Sequence, residues 1–204
     1  MKVGIINTKY GSLYALYKSI INLGHKAEIF DKPNEFKKFD KLIIPGTGNS
    51  ISIMNYLKSN YLSDEITNFK NSGKYILGIC IGMQILACKS EEGGGVNCLN
   101  YLDSNVLSLN KSFNIKTNIG WSKIKFNKEE NEFESSIKNN SYFFFCHSYY
   151  LKLNLEEKKF LISSYNSNSE IPAIIRKDNL IGVQFHPEKS QINGRKFLEC
   201  FLKL

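Results

Sequence analysis

An apolar run, Tyr75-Ile76-Leu77-Gly78-Ile79, passes without a break into Cys80-Ile81-Gly82-Met83-Gln84, and no other stretch restricts the fold as much. The run reads as a buried strand over 75–79, and residues 81–88 read as a helix. Glycines stand two residues before and two residues after Cys80. That is the pattern of a nucleophile elbow, a strand-to-helix turn whose crowded points have no room for a Cβ. The apex side chain then sits at the end of a strand and the start of a helix. Exposed N–H groups and the helix dipole there favour a thiolate and can hold an oxyanion. The competing reading is a cysteine packed as a small hydrophobe at a βα turn. The stretch alone leaves both open.

The first half of the chain extends this unit. Residues 2–7 form a short apolar strand. A helix over 13–23 comes next, with Leu13, Leu16, Tyr17, Ile20 and Leu23 at helical spacing, Ser12 as N-cap and Gly24 as the stop. Strands over 26–30 and 41–44 flank a helical turn or two at 35–39. Helices over 51–57 and 61–71 lead past Gly73 to the strand before Cys80. The alternation is that of an α/β fold with a central, mostly parallel sheet flanked by helices.

After residue 90 the pattern shortens. Strands over 106–109, 121–126, 142–146, 149–153 and 160–164 precede a hairpin of 173–176 with 180–185 around Lys177-Asp178-Asn179. These read as extra antiparallel strands in the C-terminal half, closed by a helix over 193–202. The Asn-, Lys- and Glu-rich segment 127–140 reads as a mobile surface loop. No repeat or linker appears, so one domain over 1–204 is expected.

A formal charge of +8 raises the question of a nucleic-acid partner, but the lysines are scattered among acids and form no stripe. No apolar run approaches a membrane span, and the N-terminus lacks the pattern of a secretory signal. The expectations are therefore no nucleic acid, no membrane and a cytoplasmic location. Five cysteines, an odd number at spacings that suit neither a disulfide framework nor a zinc site, imply reduced thiols and no metal. Cys146, directly before His147, reads as buried strand packing.

A cysteine nucleophile needs a base, and the base an orienting group. Of the three histidines, His25 reads as a surface residue, whereas His147 and His186 each come directly after an apolar strand. Strand ends are where an α/β sheet keeps its site. His186 is the better base. In Phe185-His186-Pro187-Glu188, the carboxylate two residues on lies on the same side of an extended chain and can accept the other ring N–H, setting the tautomer. Pro45-Gly46-Thr47-Gly48 ends the neighbouring strand, and its amides can point at an oxyanion.

Taken together, Pro45-Gly46-Thr47-Gly48, Gly78-Ile79-Cys80-Ile81-Gly82-Met83-Gln84, Glu92-Gly93, His147-Ser148-Tyr149-Tyr150 and Gly182-Val183-Gln184-Phe185-His186-Pro187-Glu188-Lys189-Ser190 resemble the class I (triad) glutamine amidotransferases. The match runs end to end. The resemblance implies L-glutamine as substrate, no cofactor, and a Cys80, His186, Glu188 triad. It implies an oxyanion held by the backbone of Ile81 and of the Thr47 and Gly48 turn. It also implies glutamine contacts from Gly46, Gln84, Glu92, Ser148 and Tyr149, with Glu92 suited to the substrate's ammonium.

In its softer features, Gly120-Trp121 and the Phe144 to Tyr150 segment, the chain is similar to the HisH-type glutaminase subunits of imidazole glycerol phosphate synthase. That resemblance implies a heterodimer in which ammonia passes to a HisF-type (β/α)₈ cyclase in histidine biosynthesis. The glutaminase-like pattern occupies the whole chain and leaves no residues for an acceptor site, so the acceptor chemistry belongs on a partner. Trp121, the only tryptophan, reads equally as an interface anchor or as core. Thr117-Asn118-Ile119 and Asn49-Ser50-Ile51 depart from the branch's pattern on the partner-facing side. An alternative therefore stays open: the same glutaminase feeding another synthase, such as a surface-sugar amidotransferase.

Overall fold

A computed structural model describes residues 1–10, 13–127, 131–165 and 170–204. In chain order, β1 (Lys2–Ile6), α1 (Tyr14–Asn22), β2 (Lys26–Phe30), β3 (Lys41–Ile44), α2 (Ser50–Ser59), α3 (Leu62–Asn71) and β4 (Ile76–Ile79) lead to the elbow and the short α4 (Ile81–Gln84). Next come β5 (Lys89–Ser90), β6 (Val96–Asn97), β7 (Ser104–Ser108), α5 (Leu109–Phe113), β8 (Asn118–Phe126), β9 (Tyr142–His147) and β10 (Tyr149–Leu153). The chain ends with β11 (Leu161–Tyr165), β12 (Ile171–Lys177), β13 (Leu180–Val183) and α6 (Gln191–Lys203). The expected break at 35–39 is a 3₁₀ segment, Pro33–Lys38.

Nine strands form one sheet in the order β2-β1-β3-β4-β13-β12-β11-β8-β9. Pairing is parallel from β2 through β13 and antiparallel from β13 to β9. The inner parallel strands β1, β3, β4 and β13 are buried on both faces, which is why they read as apolar runs, whereas the edge strand β2 is partly exposed. Val3, Ile5, Leu77 and Ile79 face a core shared with α1 and α6, whereas Ile6, Leu42, Ile44 and Ile76 face one shared with α2 and α3. A four-stranded sheet, β10-β7-β5-β6, carries the residues after the elbow. No helix among the described residues is long and apolar enough to cross a membrane.

One pairing decides where the chemistry lies. The hairpin read at 173–185 forms, with β13 antiparallel to β12. β13 also inserts parallel to β4, with Gly182 opposite Gly78 and Val183 opposite Ile79. The C-terminal ends of β4 and β13 therefore point the same way, and Cys80 emerges beside the segment that carries His186.

The elbow is as tight as its glycines imply. A Cβ on Gly78 would lie 2.5 Å from the Gly82 carbonyl oxygen, and one on Gly82 would lie 2.1 Å from that of Ile44. The helix after it is shorter than the expected 81–88. It ends at Gln84 because the next amides leave the α pattern: those of Leu86 and Ala87 donate to the carbonyls of Met83 and Gln84, three residues back, and that of Cys88 donates to the Ser104 carbonyl. Backbone groups taken by a neighbouring segment cannot extend a helix. A four-residue helix has little macrodipole, so its contribution at Cys80 comes from local N–H groups.

Two other expectations change. Segment 127–140 is pinned rather than loose where it is described: Phe133 and Ile137 are fully buried, and Phe133 stacks on Phe197 at 5.1 Å. Residues 128–130 of it, and the expected N-cap Ser12, lie outside the described residues.

Candidate active site

Cys80 occupies the apex of the elbow with φ 51° and ψ −107°, a conformation that a non-glycine residue adopts only when its surroundings impose it. Its N–H donates to the Val183 carbonyl at 2.6 Å, and the Gln84 N–H donates back to the Cys80 carbonyl at 3.1 Å. The residue is therefore held on both sides. Cys80 is 4% exposed and lines a cavity of about 230 Å³ with Gly46, Gly48, Ile81, Gln84, Glu92, Thr117, Cys146, His147, Ser148 and Tyr149.

His186 lies close enough to Cys80 for the two side chains to interact. Its Nδ1 faces Glu188 Oε1 at 2.8 Å, which leaves the other ring nitrogen for the thiol. The backbone fixes the ring: His186 N–H donates to the Phe144 carbonyl at 2.9 Å, and the Ser190 hydroxyl donates to the His186 carbonyl at 2.6 Å. Burial alone would lower the imidazole pKa. The hydrogen bonds and charges of Cys80 and Glu188 outweigh it and push the pKa up to about 10. Both partners thus favour the protonated imidazole.

The remaining expected residues divide. Gly46 and Gly48 line the cavity, whereas the Thr47 hydroxyl donates to the Tyr10 carbonyl and braces the turn from behind. Glu92 Oε2 accepts from the Ser50 N–H and hydroxyl, both at 2.7 Å, which ties the carboxylate to the start of α2 at the cavity wall. The Ser148 hydroxyl pairs with Thr117 Oγ1 at 2.9 Å. The Tyr149 carbonyl is turned inward and accepts from Gln84 Nε2 at 2.8 Å. Cys146, expected in the core, is exposed. Side chains alternate along β9, and Phe143, Phe145 and His147 take the core face, so Cys146 takes the other.

His147 is the second histidine at a strand end, but it is structural. It is 6% exposed, and the same Tyr149 carbonyl lies 2.7 Å from its Nδ1, which must therefore carry the proton. The Tyr165 hydroxyl donates to its Nε2 at 2.7 Å. Burial pushes its pKa down to about 4, against the opposing hydrogen bond to Tyr149. Between pH 4 and 6.5 the unfolded chain binds this proton more readily than the folded one, so stability falls as pH falls. Acidification from pH 7 to 4 is expected to remove about 3 kcal/mol through this residue alone. Urea melts across that range should show the loss shrinking in His147→Gln.

Gln184, inside a motif read only for its histidine, also belongs to the site. It is fully buried and its Nε2 lies 3.5 Å from Cys80 Sγ. A polar residue inside an apolar run was the available signal.

An elbow thiol and a glycine turn line one cavity, and a carboxylate-oriented imidazole lies close to the thiol, the set of parts that a cysteine triad needs. The chain belongs to the glutamine amidotransferase class-I family, whose sequence pattern matches residues 5–203. Within that family it is similar to imidazole glycerol phosphate synthase subunit HisH. Identity to that subunit of Caldanaerobacter subterraneus subsp. tengcongensis is 38% over 199 residues, covering 98% of this chain and 96% of that one. Identity to the Escherichia coli (strain K12) subunit is 32% over 204 residues, covering both chains completely. Solved structures share the fold at low identity. PurLQS from Thermotoga maritima superposes with a TM-score of 0.76 at 16% identity, covering 99% of this chain and 97% of that one.

Proposed function

We propose that this chain is the glutaminase subunit of an imidazole glycerol phosphate synthase, acting in the cytoplasm as a heterodimer with a (β/α)₈ cyclase that consumes its ammonia in histidine biosynthesis. The observation that carries the glutaminase reading is Cys80 at the apex of a strained elbow beside an imidazole held by Glu188. Full-length similarity to HisH subunits supports the pathway.

In this mechanism the Cys80 sulfur attacks the side-chain amide carbon of glutamine. Negative charge moves onto the carbonyl oxygen, which the Ile81 N–H and an amide of the Gly46-Thr47-Gly48 turn hold. The protonated His186 gives its proton to the departing nitrogen, releasing ammonia and leaving a glutamyl thioester. Water, deprotonated by His186, then opens the thioester to glutamate. Gln84 spends both amide N–H groups inside the protein, on Tyr149 and Gln184, so it offers a substrate only its acceptor oxygen. An acceptor there and the carboxylate of Glu92 suit the substrate's ammonium group.

The partner reading rests on an apolar strip beside the cavity mouth. Ile119, Trp121 and Tyr142 on β8 and β9 are 67%, 45% and 49% exposed, and the Trp121 ring packs edge-on against Phe144 at 6.0 Å. This favours the interface reading of Trp121 over the core reading. Mixing the chain with the cyclase subunit, glutamine and the cyclase substrate should release glutamate and form the complex's product. Trp121→Ala is expected to weaken subunit affinity about 30-fold, measured by titration calorimetry. No association with such a cyclase, and capture of a different synthase, would favour the alternative acceptor.

A further inference from the structure

Gln184 lies outside the triad, yet it touches the nucleophile. The pairing of Val183 with Ile79 puts the next residues, Gln184 and Cys80, side by side at the ends of β13 and β4. A chain of hydrogen bonds then fixes which end of the Gln184 amide faces the sulfur. The Tyr149 carbonyl can only accept, so it draws the Nε2 group of Gln84, at 2.8 Å. The second N–H of Gln84 donates to Gln184 Oε1 at 3.0 Å. With its oxygen committed, Gln184 presents only Nε2 to Cys80 Sγ, at 3.5 Å. The His147 Nδ1–H, itself held by Tyr165, secures the Tyr149 carbonyl from the other side.

We propose that Gln184 is a positioning residue for the nucleophile: its N–H holds the Cys80 thiolate, and the Gln84 amide and the Tyr149 carbonyl fix the direction of that N–H. A hydrogen bond from an amide to an anionic sulfur favours the thiolate over the thiol and restricts the side chain to one orientation. Elsewhere a buried pair of glutamines need only satisfy each other. Here the geometry delivers one surplus N–H, and it points at the reacting atom. The proposal rests on the glutaminase reading of Cys80 and adds a residue to it.

The test measures sulfur reactivity apart from turnover. Cys80 in the full chain is alkylated with iodoacetamide between pH 6 and 10, and the rate is read by mass spectrometry on the Cys80 peptide. Gln184→Met keeps the side-chain length without the donor, and Gln184→Glu keeps the shape while placing an anion beside the sulfur. At neutral pH the rate should fall about tenfold in Gln184→Met and further in Gln184→Glu, and recover towards wild type as pH rises. In the assembled complex, kcat for glutamine should fall about tenfold with KM within about twofold. Gln84→Leu, which leaves Gln184 in place without the donor that orients it, should give a smaller fall and serves if neither Gln184 variant folds. Alkylation that matches wild type in every folded variant, or slows equally at every pH, would overturn the proposal. Failure of the glutaminase reading would show separately, as wild-type protein that alkylates normally yet does not hydrolyse glutamine.

Discussion

Cys80→Ala is expected to lower glutamine-dependent product formation by at least about 10⁴-fold while leaving ammonia-dependent formation within about twofold of wild type. The first part follows from the loss of the only group that can form the thioester. Cys80 is buried at the cavity floor, and the other cysteine lining that cavity, Cys146, faces away from the core on the outer side of β9. It cannot take over the apex. The second part follows from the proposed division of labour, in which the acceptor chemistry belongs to a partner and free ammonia bypasses this chain. Alanine removes one sulfur from a well-supported turn. The backbone bonds of Cys80 to Val183 and Gln84 stay, so the fold survives. Steady-state assays with glutamine and with ammonium salts on the same preparation check both halves. Loss of both activities would mean that the substitution had damaged the complex, and retention of glutamine use would refute the nucleophile.

The next largest effect is expected at His186. His186→Ala should lower glutaminase kcat by about 10³- to 10⁴-fold, because it removes the proton carrier for both leaving ammonia and attacking water. Glu188→Ala should cost about 10²-fold, since the imidazole remains but loses the carboxylate that sets its orientation and holds its charge. The double variant should be about as slow as His186→Ala alone, because Glu188 acts only through the ring. Stability carries a second signature. Glu188 Oε2 is buried with no hydrogen-bond partner among the described residues, so His186 is the main compensation for that carboxylate. Removing the histidine strands a buried charge, at about 3 kcal/mol near neutral pH. The carboxylate can neutralise itself on acidification, so the deficit should shrink at low pH and be absent in the double variant. Urea melts of the three variants at two pH values decide this.

Much of the site was legible because its signals are local. The elbow needs glycine at 78 and 82 for steric reasons confined to a single turn, and His186-Pro187-Glu188 places base and orienter within three residues. The α/β class was legible in the apolar runs of β1, β3 and β4, which are continuous because both sheet faces are covered. What escaped was whatever depended on how distant segments meet. The helix after Cys80 stops at Gln84 because the Cys88 amide pairs with the distant Ser104 carbonyl, a competition that the sequence of 81–88 does not contain. Cys146, read as buried strand packing, lies outside because Phe143, Phe145 and His147 take the core face of β9.

By itself, then, the sequence determined the fold class and singled out the proposed nucleophile and its proposed base, since each follows from steric and hydrogen-bonding demands within a few residues. The tertiary structure decided the rest. Inserting β13 beside β4 in one particular register brought His186 to Cys80, laid Gln184 against the sulfur, and turned Gln84 and the Tyr149 carbonyl inward to fix it. Registers between strands a hundred residues apart are set by the packing of both sheet faces, and a slip of one residue would have reversed which side chains face the site.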